Sequence, residues 1–145
     1  MRQFSGEAIA SGSARGEALI ADIPLSFWGG FDAETGAIID KRHPLVGCIA
    51  AGRVLVLPSG RGSCSGSGVL LEAIRNGTAP AAILTSRVDP IIGLGCILGD
   101  ELYSWCPPLI VISDHDRRQI ARGDLITIDQ GGLVTVMPGS DGIPE

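Results

Sequence analysis

The chain has 145 residues, of which 45% are hydrophobic and 4% aromatic, and its formal net charge is −5. This length supports one compact domain with an aliphatic core, so residues 1–145 are interpreted as a single domain. The excess of acidic residues argues against a nucleic-acid partner, because a phosphate backbone requires a basic surface. No stretch approaches the roughly 18 apolar residues of a membrane span, and the N-terminus lacks the pattern of a secretion signal. The sequence therefore predicts a cytoplasmic protein without membrane contact.

The first 50 residues predict β structure. The segments GEAIASG and GEALIAD repeat one local pattern, which predicts paired strands around Ile9 and around Leu19 and Ile20. Turn-forming residues occupy positions 32–36, and a further strand is expected at 37–39. Residues 41–44 form a polar loop in this interpretation.

From residue 53 onward, apolar strand-like runs alternate with helix-like runs, which predicts a parallel α/β centre. Ser113 is a plausible cap for a short helix, and the pair Gly131-Gly132 predicts a hairpin turn. The predicted strands are 54–57, 81–84, 109–112, 125–129 and 133–137, and the predicted helices are 69–76, 90–98 and 114–121. The last seven residues, GSDGIPE, are expected to fray.

The most informative segment spans residues 53–72 and has the sequence RVLVLPSGRGSCSGSGVLLE. A buried strand, a glycine-rich loop and a helix in this order direct backbone N–H groups and the positive helix end toward an anion. We therefore place the functional site in this loop. Its polar side chains include Arg61, Ser63, Cys64, Ser65 and Ser67.

Three known motifs, two of them tested on this segment, fit the sequence poorly. A nucleotide-binding P-loop is disfavoured because Ser67 stands where that motif requires lysine. The run from Gly62 to Gly66 matches a nucleophile elbow with Cys64 as nucleophile, but the fold that uses this elbow is much larger, and the only partner histidine would be His115. The segment Gly93-Leu94-Gly95 lies within a helix-like run rather than after a strand, which weakens a dinucleotide-binding interpretation.

A fourth interpretation is an anion-binding loop with a reactive serine. Backbone N–H donors at a helix start and the Arg61 guanidinium would stabilise a serine alkoxide, and Arg61 would grip a substrate carboxylate through two hydrogen bonds. The alternative is that the same serines and glycines only form a tight turn and cap the helix. Arg87, Asp89 and Pro90 follow a predicted strand end, the edge that faces the ligand crevice in α/β sheets, and are further candidates for the site.

The cysteines do not form a ligand pattern. Cys48, Cys64, Cys96 and Cys106 are widely and irregularly spaced, and no CxxC pair is present. We therefore expect no metal site ligated by this chain alone, and we interpret Cys48 and Cys96 as small buried apolar residues in a reducing compartment.

The whole chain resembles the small subunit of the aconitase X family, which comprises hydro-lyases distantly related to aconitase. The matching segments are LPSGRGSCSGSGVLLEAIRNGTAPAAIL, DPIIGLGCILGDEL, PPLIVI and GDLITIDQGGLVTV. The resemblance implies an α/β fold, a swivelling β/β/α domain like the mobile domain of aconitase. It also implies an iron–sulfur cluster that is ligated by cysteines of a separate large subunit, the partner of this chain.

The resemblance assigns roles within the loop. In the wider family a Gly-x-Gly-Ser loop carries the serine that acts as catalytic base, and the run Gly60-Arg61-Gly62-Ser63 matches it. The family loop continues Ser-Arg-Glu-His, whereas this chain continues Cys64-Ser65-Gly66-Ser67, so the role of Arg61 in anion binding is an inference. Ser63 is the expected base, with Ser65 and Ser67 as alternatives, and the substrate anion is expected at Arg61, Gly62, Cys64 and Gly66.

Within the family, members act on cis-3-hydroxy-L-proline or on mevalonate 5-phosphate. A loop with one arginine and no lysine favours a small carboxylate, so we expect the first of these substrates and keep the second as an alternative. A non-catalytic binding or scaffold subunit is the other alternative. A phosphohistidine carrier is disfavoured because the loop contains no histidine. Trp28 and His43 are interpreted as ordinary loop or core residues, with a position facing the large subunit as the alternative.

Overall fold

The computed structural model of the chain describes residues 1–62 and 64–139, and its core is an eight-stranded sheet. The strands are β1 (Arg2–Ser5), β2 (Glu7–Ala10), β3 (Ala14–Ile20), β4 (Val54–Leu57), β5 (Ala82–Thr85), β6 (Leu109–Val111), β7 (Leu125–Ile128) and β8 (Leu133–Met137). Their order in the sheet is β1-β8-β7-β3-β4-β5-β6-β2. The central strands β3 to β6 are parallel, and the strands on either side of them pair antiparallel.

The sheet curls until its two edges approach each other. β1 and β2 are consecutive in the chain, yet they occupy the two opposite edges of the sheet. Gly6 connects them: its N–H donates to the Gly132 carbonyl over 3.0 Å, and a Cβ at this position would overlap the side chain of Ile110. A glycine is required here because two edges of the sheet and β6 meet at one backbone position.

Helices cover one face of the parallel centre. They are α1 (Phe27–Gly30), α2 (Ser65–Asn76) and α3 (Pro90–Tyr103), and α2 packs against α3. A further short helix, α4 (Asp114–Arg117), follows β6. Within β4, Leu55 and Leu57 contribute to the core beneath the helices, whereas Val54 and Val56 contribute to a second core enclosed by the curled sheet. Strand residues alternate between faces, so a continuous apolar run serves both cores. Among the described residues, no helix is both long and apolar enough to cross a membrane.

The predicted α/β architecture is confirmed, with corrections to individual elements. The predicted strand at 37–39 is wrong: Ala37 and Ile38 form isolated bridges only. The helix predicted at 114–121 ends at Arg117, although Ser113 caps it by accepting from the Asp116 N–H over 3.0 Å. α2 begins four residues earlier than predicted, and α3 continues to Tyr103.

The two repeated N-terminal segments are strands, but they do not pair with each other. β2 pairs with β6, and β3 pairs with β4 and β7. Their partners lie far away in the chain, so local similarity does not reveal the pairing. The tail expected to fray lies, from residue 140 onward, outside the described residues, and so does Ser63.

Candidate functional site

The predicted site loop lies at the carboxyl edge of the parallel sheet. β4 ends at Leu57 and β5 ends at Thr85, and because the two strands are parallel their following loops emerge side by side. The Ser86 N–H donates to the Pro58 carbonyl over 3.1 Å and joins the two loops directly. In open α/β sheets ligands bind outside this edge, where helix N-termini also converge.

The connection that follows β3 holds one side of the loop. Leu25 and Gly60 form a parallel bridge, and the Arg61 N–H donates to the Leu25 carbonyl over 3.2 Å. Gly62 has φ 101° and lies so close to Ser26 that a Cβ would overlap the serine side chain. Both the backbone angle and this contact require glycine at position 62.

The start of α3 holds the other side of the loop. The buried Asp89 caps this helix: its Oδ1 accepts from the N–H groups of Ile91 over 2.9 Å and Ile92 over 3.0 Å. A Cβ at Gly60 would lie 2.6 Å from Asp89 Oδ2, so the loop backbone passes directly beside this carboxylate. The two glycines on either side of Arg61 therefore permit close contact with two different elements.

The N-terminus of α2 points its positive end at the same loop. Cys64 is the N-cap residue, and its side chain makes no capping hydrogen bond. Cys64 and Ser65 are exposed, whereas Gly66 is buried, and a Cβ there would lie 3.2 Å from Ile91 Cγ2. This geometry favours an anion in front of the helix, because the helix dipole carries partial positive charge at its start.

Ser67 has a different environment from the other predicted site residues. Its hydroxyl donates to the Ile91 carbonyl over 2.6 Å, and the residue is only 4% exposed. Since Asp89 accepts from the Ile91 N–H, both main-chain polar groups of Ile91 are held by side chains. Ser67 thus ties the start of α2 to the start of α3, directly behind the loop.

The remaining predicted residues share the exposed part of the loop. Arg61, Gly62, Cys64 and Ser65 are exposed and lie next to one another along the chain. Among the described residues, no hydrogen bond or ion pair engages the Arg61 guanidinium. No side chain in the described part of the chain neutralises this charge, so it is available to a ligand in front of the loop. Ser63, the expected base, lies outside the described residues between Gly62 and Cys64.

A polar cluster at the same edge was not predicted from the sequence. The buried Arg117 guanidinium forms ion pairs of 3.2 Å with both Asp22 and Asp114, and its Nε donates to Ser86 Oγ over 2.8 Å. A hydrogen bond from Ser86 and the nearby Arg117 lower the pKa of the Asp114 carboxyl. This cluster joins the connections after β3 and β5 to α4. The i, i+3 spacing of Asp114 and Arg117 could have predicted one ion pair of this cluster. Asp22, the second acidic partner of Arg117, lies 95 residues away in the sequence.

The opposite, amino edge of the parallel strands holds a cavity of about 570 Å³. Cys96 and Cys106 both line it, and Cys96 is fully buried, in agreement with its interpretation as a core residue. A hydrogen bond between the two thiols, together with burial, raises the pKa of Cys96, and the same bond lowers the pKa of Cys106. Asp100 and Glu101 also line the cavity, close to the C-terminus of α3. Within the described part of the chain, no three His, Cys, Asp or Glu side chains are grouped as metal ligands.

The class of domain follows from three features: the curled eight-stranded sheet, the two helices on its parallel centre, and the glycine loop anchored in front of a helix start. Together they define a swivelling α/β domain. Residues 3–136 match the family described as "Aconitase X swivel domain". The chain belongs to this family, which confirms the resemblance found in the sequence.

Relatives show the same domain in two arrangements. The chain is 38% identical over 136 residues to a cis-3-hydroxy-L-proline dehydratase of Hypocrea jecorina, covering 94% of this chain but 23% of the relative. It is 43% identical over 121 residues to the phosphomevalonate dehydratase small subunit of Methanopyrus kandleri, covering 83% of this chain and 85% of the relative. The crystal structure of Thermococcus kodakaraensis aconitase X in its holo-form superposes with a TM-score of 0.84 at 32% identity, covering 94% and 99% of the two chains.

Proposed function

We propose that this chain is the small subunit of an aconitase X-type dehydratase that removes water from a small hydroxy acid. The observation that carries the proposal is the Gly60-Arg61-Gly62 loop, which Leu25 and Ser26 hold on one side and Asp89 on the other, in front of the start of α2. Such a loop presents a guanidinium and a positive helix end to an anionic substrate without rearrangement. A site that is preorganised in this way suits a reaction in which negative charge develops on the substrate.

The proposed reaction is a β-elimination. A base takes the proton from the carbon next to the hydroxyl-bearing carbon, a double bond forms between the two carbons, and the hydroxyl departs with a proton as water. We assign the base to Ser63 and the substrate carboxylate to Arg61, with the backbone of Gly62, Cys64 and Gly66 as further anion contacts. Ser65 is the alternative base. Ser67 is a poor candidate for this role, because it is buried and its hydroxyl donates to the Ile91 carbonyl behind the loop.

The proposal places the iron–sulfur cluster in the large subunit, as the family resemblance implies. When bound, that cluster supplies a Lewis acid for the departing hydroxyl. The described residues of this chain contain no grouped set of His, Cys, Asp or Glu ligands for it. The role proposed for this chain is to hold the substrate anion and to move one proton.

Two relatives are named for different substrates, so the choice of substrate is part of the proposal. The loop contains one arginine and no lysine, which favours a carboxylate and hence cis-3-hydroxy-L-proline as the first substrate to test. Mevalonate 5-phosphate is the alternative, because a helix N-terminus also binds phosphate well. The proposal places the enzyme in the cytoplasm; Cys48, Cys64, Cys96 and Cys106 are all free thiols, as a reducing compartment favours.

The test is turnover by the two-subunit enzyme. This chain would be co-expressed with the aconitase X large subunit of the same organism, and the purified complex would be assayed anaerobically with iron on both substrates. We expect dehydration of cis-3-hydroxy-L-proline that requires both chains. Activity restricted to mevalonate 5-phosphate would instead support the alternative substrate.

Serine variants of the same complex test the assignment of the base. We expect Ser63→Ala to leave assembly intact and to reduce kcat about 100- to 10,000-fold, the range that general base catalysis contributes. Ser65→Ala and Ser67→Ala, in the same complex, test the two alternative serines in the same way. Full turnover in all three variants would exclude a serine base and would favour a scaffold subunit.

A further inference from the structure

We propose that the exposed apolar side chains of Trp28 and Val88, which flank the Arg61 loop, are contact points for the large subunit. This inference rests on the proposed two-subunit function and specifies which surface the partner covers. It revises the interpretation of Trp28 as an ordinary loop residue.

The backbone at Trp28 is anchored by a turn and a hydrogen bond, while the residue itself remains exposed. It occupies α1, where Trp28 (φ −71°, ψ 116°) and Gly29 (φ 77°, ψ −10°) adopt the angles of a type II turn rather than of a helix. The Ser26 hydroxyl donates to the Trp28 carbonyl over 3.0 Å, and a Cβ at Gly66 would lie 3.6 Å from the Trp28 nitrogen. The turn therefore packs against the start of α2, yet the residue is 61% exposed.

Val88 has a similar arrangement on the other side of the loop. It is 57% exposed, and its neighbours on both sides are fixed. Thr85 Oγ1 donates to the Arg87 carbonyl over 2.8 Å, and Asp89 caps α3. An apolar side chain that is held in water by a rigid backbone costs little conformational entropy when a partner covers it.

Residues beside Trp28 and Val88 contact the two ends of the Gly60-Arg61-Gly62 run. Ser26, two residues before Trp28, contacts Gly62, and Asp89, the residue after Val88, contacts Gly60. Gly60 and Gly62 are separated only by Arg61. The exposed Arg61 thus lies between the two glycines that these neighbours contact, and tryptophan is among the residues most enriched at the energetic centres of protein interfaces.

The large subunit is the partner that this surface fits. In the Hypocrea jecorina relative this domain is 23% of one longer chain, and in Methanopyrus kandleri the matching protein is called a small subunit. In both arrangements the domain has a larger companion. If that companion contributes the rest of the proposed site, it must meet this chain at the edge where Arg61 is exposed, between Trp28 and Val88.

The chain provides its own control residue. It contains two tryptophans, and the other one, Trp105, is 44% exposed. Trp105 lies between α3 and β6, at the amino edge of the parallel strands and away from the Arg61 loop. Both residues are exposed tryptophans, and they differ in the edge of the sheet that they occupy.

The first experiment measures the affinity of wild-type chain, Trp28→Ala and Trp105→Ala for the aconitase X large subunit of the same organism. We expect Trp28→Ala to raise the Kd about 30-fold or more, as a hot-spot residue does, and Trp105→Ala to change it less than about threefold. Val88→Asp would weaken binding in the same direction, because it places a charge in the contact. Equal affinities for wild type and Trp28→Ala would overturn the inference.

The second experiment measures binding with the wild-type sequence and uses substitutions only to assign the spectrum. This chain alone would carry 5-fluorotryptophan, its two fluorine resonances would be assigned with Trp28→Phe and Trp105→Phe, and unlabelled large subunit would then be added. We expect the Trp28 resonance to shift and the Trp105 resonance to stay. An active complex with an unchanged Trp28 resonance would overturn the inference and leave the proposed function standing, whereas no complex with wild-type chain would overturn both.

Discussion

The two ends of α3 border two different surfaces, one at the carboxyl edge of the parallel sheet and one at the amino edge. The amino edge has a cavity of about 570 Å³, but it faces the negative end of α3 and carries Asp100 and Glu101. The carboxyl edge carries a glycine loop beside the positive starts of α2 and α3, with Arg61 exposed. An anionic substrate is favoured at the second surface and disfavoured at the first. Electrostatics and an anchored backbone thus locate the candidate site better than cavity volume does.

Among the substitutions that test this comparison of the two edges, Gly62→Ala should reduce the activity of the carboxyl-edge site most. The substitution forces a side chain into a residue with φ 101° and into the space of Ser26, so the loop must move. We expect kcat/KM of the two-subunit enzyme to fall at least about tenfold, because displacing groups by about 1 Å costs this much or more.

Gly47→Ala is the matched control for that variant. Gly47 also has a positive φ, 86°, but a Cβ there would have no atom within 4 Å. It should lose stability by about 1 kcal/mol from the backbone angle alone and keep its turnover. An equal loss of turnover in both variants would show that the Ser26 contact does not shape the site.

Ser67→Ala should have an intermediate effect, and mainly on stability. It leaves the Ile91 carbonyl without its 2.6 Å donor between two packed helices, which we expect to lower the free energy of unfolding by about 1–3 kcal/mol. Urea unfolding of the chain measures this directly. Ser11→Ala, at the exposed rim of the amino-edge cavity, should change stability by less than about 0.5 kcal/mol. If the two variants were equally stable, the bond between α2 and α3 would not stabilise the carboxyl edge.

Asp114→Asn should have the smallest effect, and it should depend on pH. A hydrogen bond from Ser86 and the charge of Arg117 lower the pKa of Asp114 in the folded state. A lowered pKa stabilises the fold above the unfolded-state value near pH 4, and this contribution is lost as the pH falls through the folded-state value. Wild type should therefore exceed Asp114→Asn in stability at pH 7, and the gap should close below about pH 4. Thermal unfolding of both proteins from pH 7 to below about pH 4 measures this stability difference. A difference that stays constant with pH would contradict its origin in the charge of Asp114.

Local sequence was sufficient where neighbouring residues determine the structure. The β-branched run of β4, the hairpin between β7 and β8 and the Ser113 cap follow from strand propensity, turn glycines and a side-chain acceptor at a helix start. The strand predicted at 37–39 failed because a strand also needs a partner of matching length, and Ile38 finds only an isolated bridge. The early start of α2 was missed because serine and glycine disfavour helix, whereas burial against α3 stabilises them there.

The sequence by itself determined the family, through a resemblance that extends along the whole chain and implies the fold class. It also determined the loop in which Arg61 and Ser63 lie, because a strand, a glycine loop and a helix in series form a local pattern. Only the tertiary structure decided what surrounds that loop. Ser26, Asp89 and Ile91 reach it from other elements, and so Ser67 faces a carbonyl rather than a ligand. Contacts across parallel strands join residues that the chain keeps far apart, and no local pattern records them.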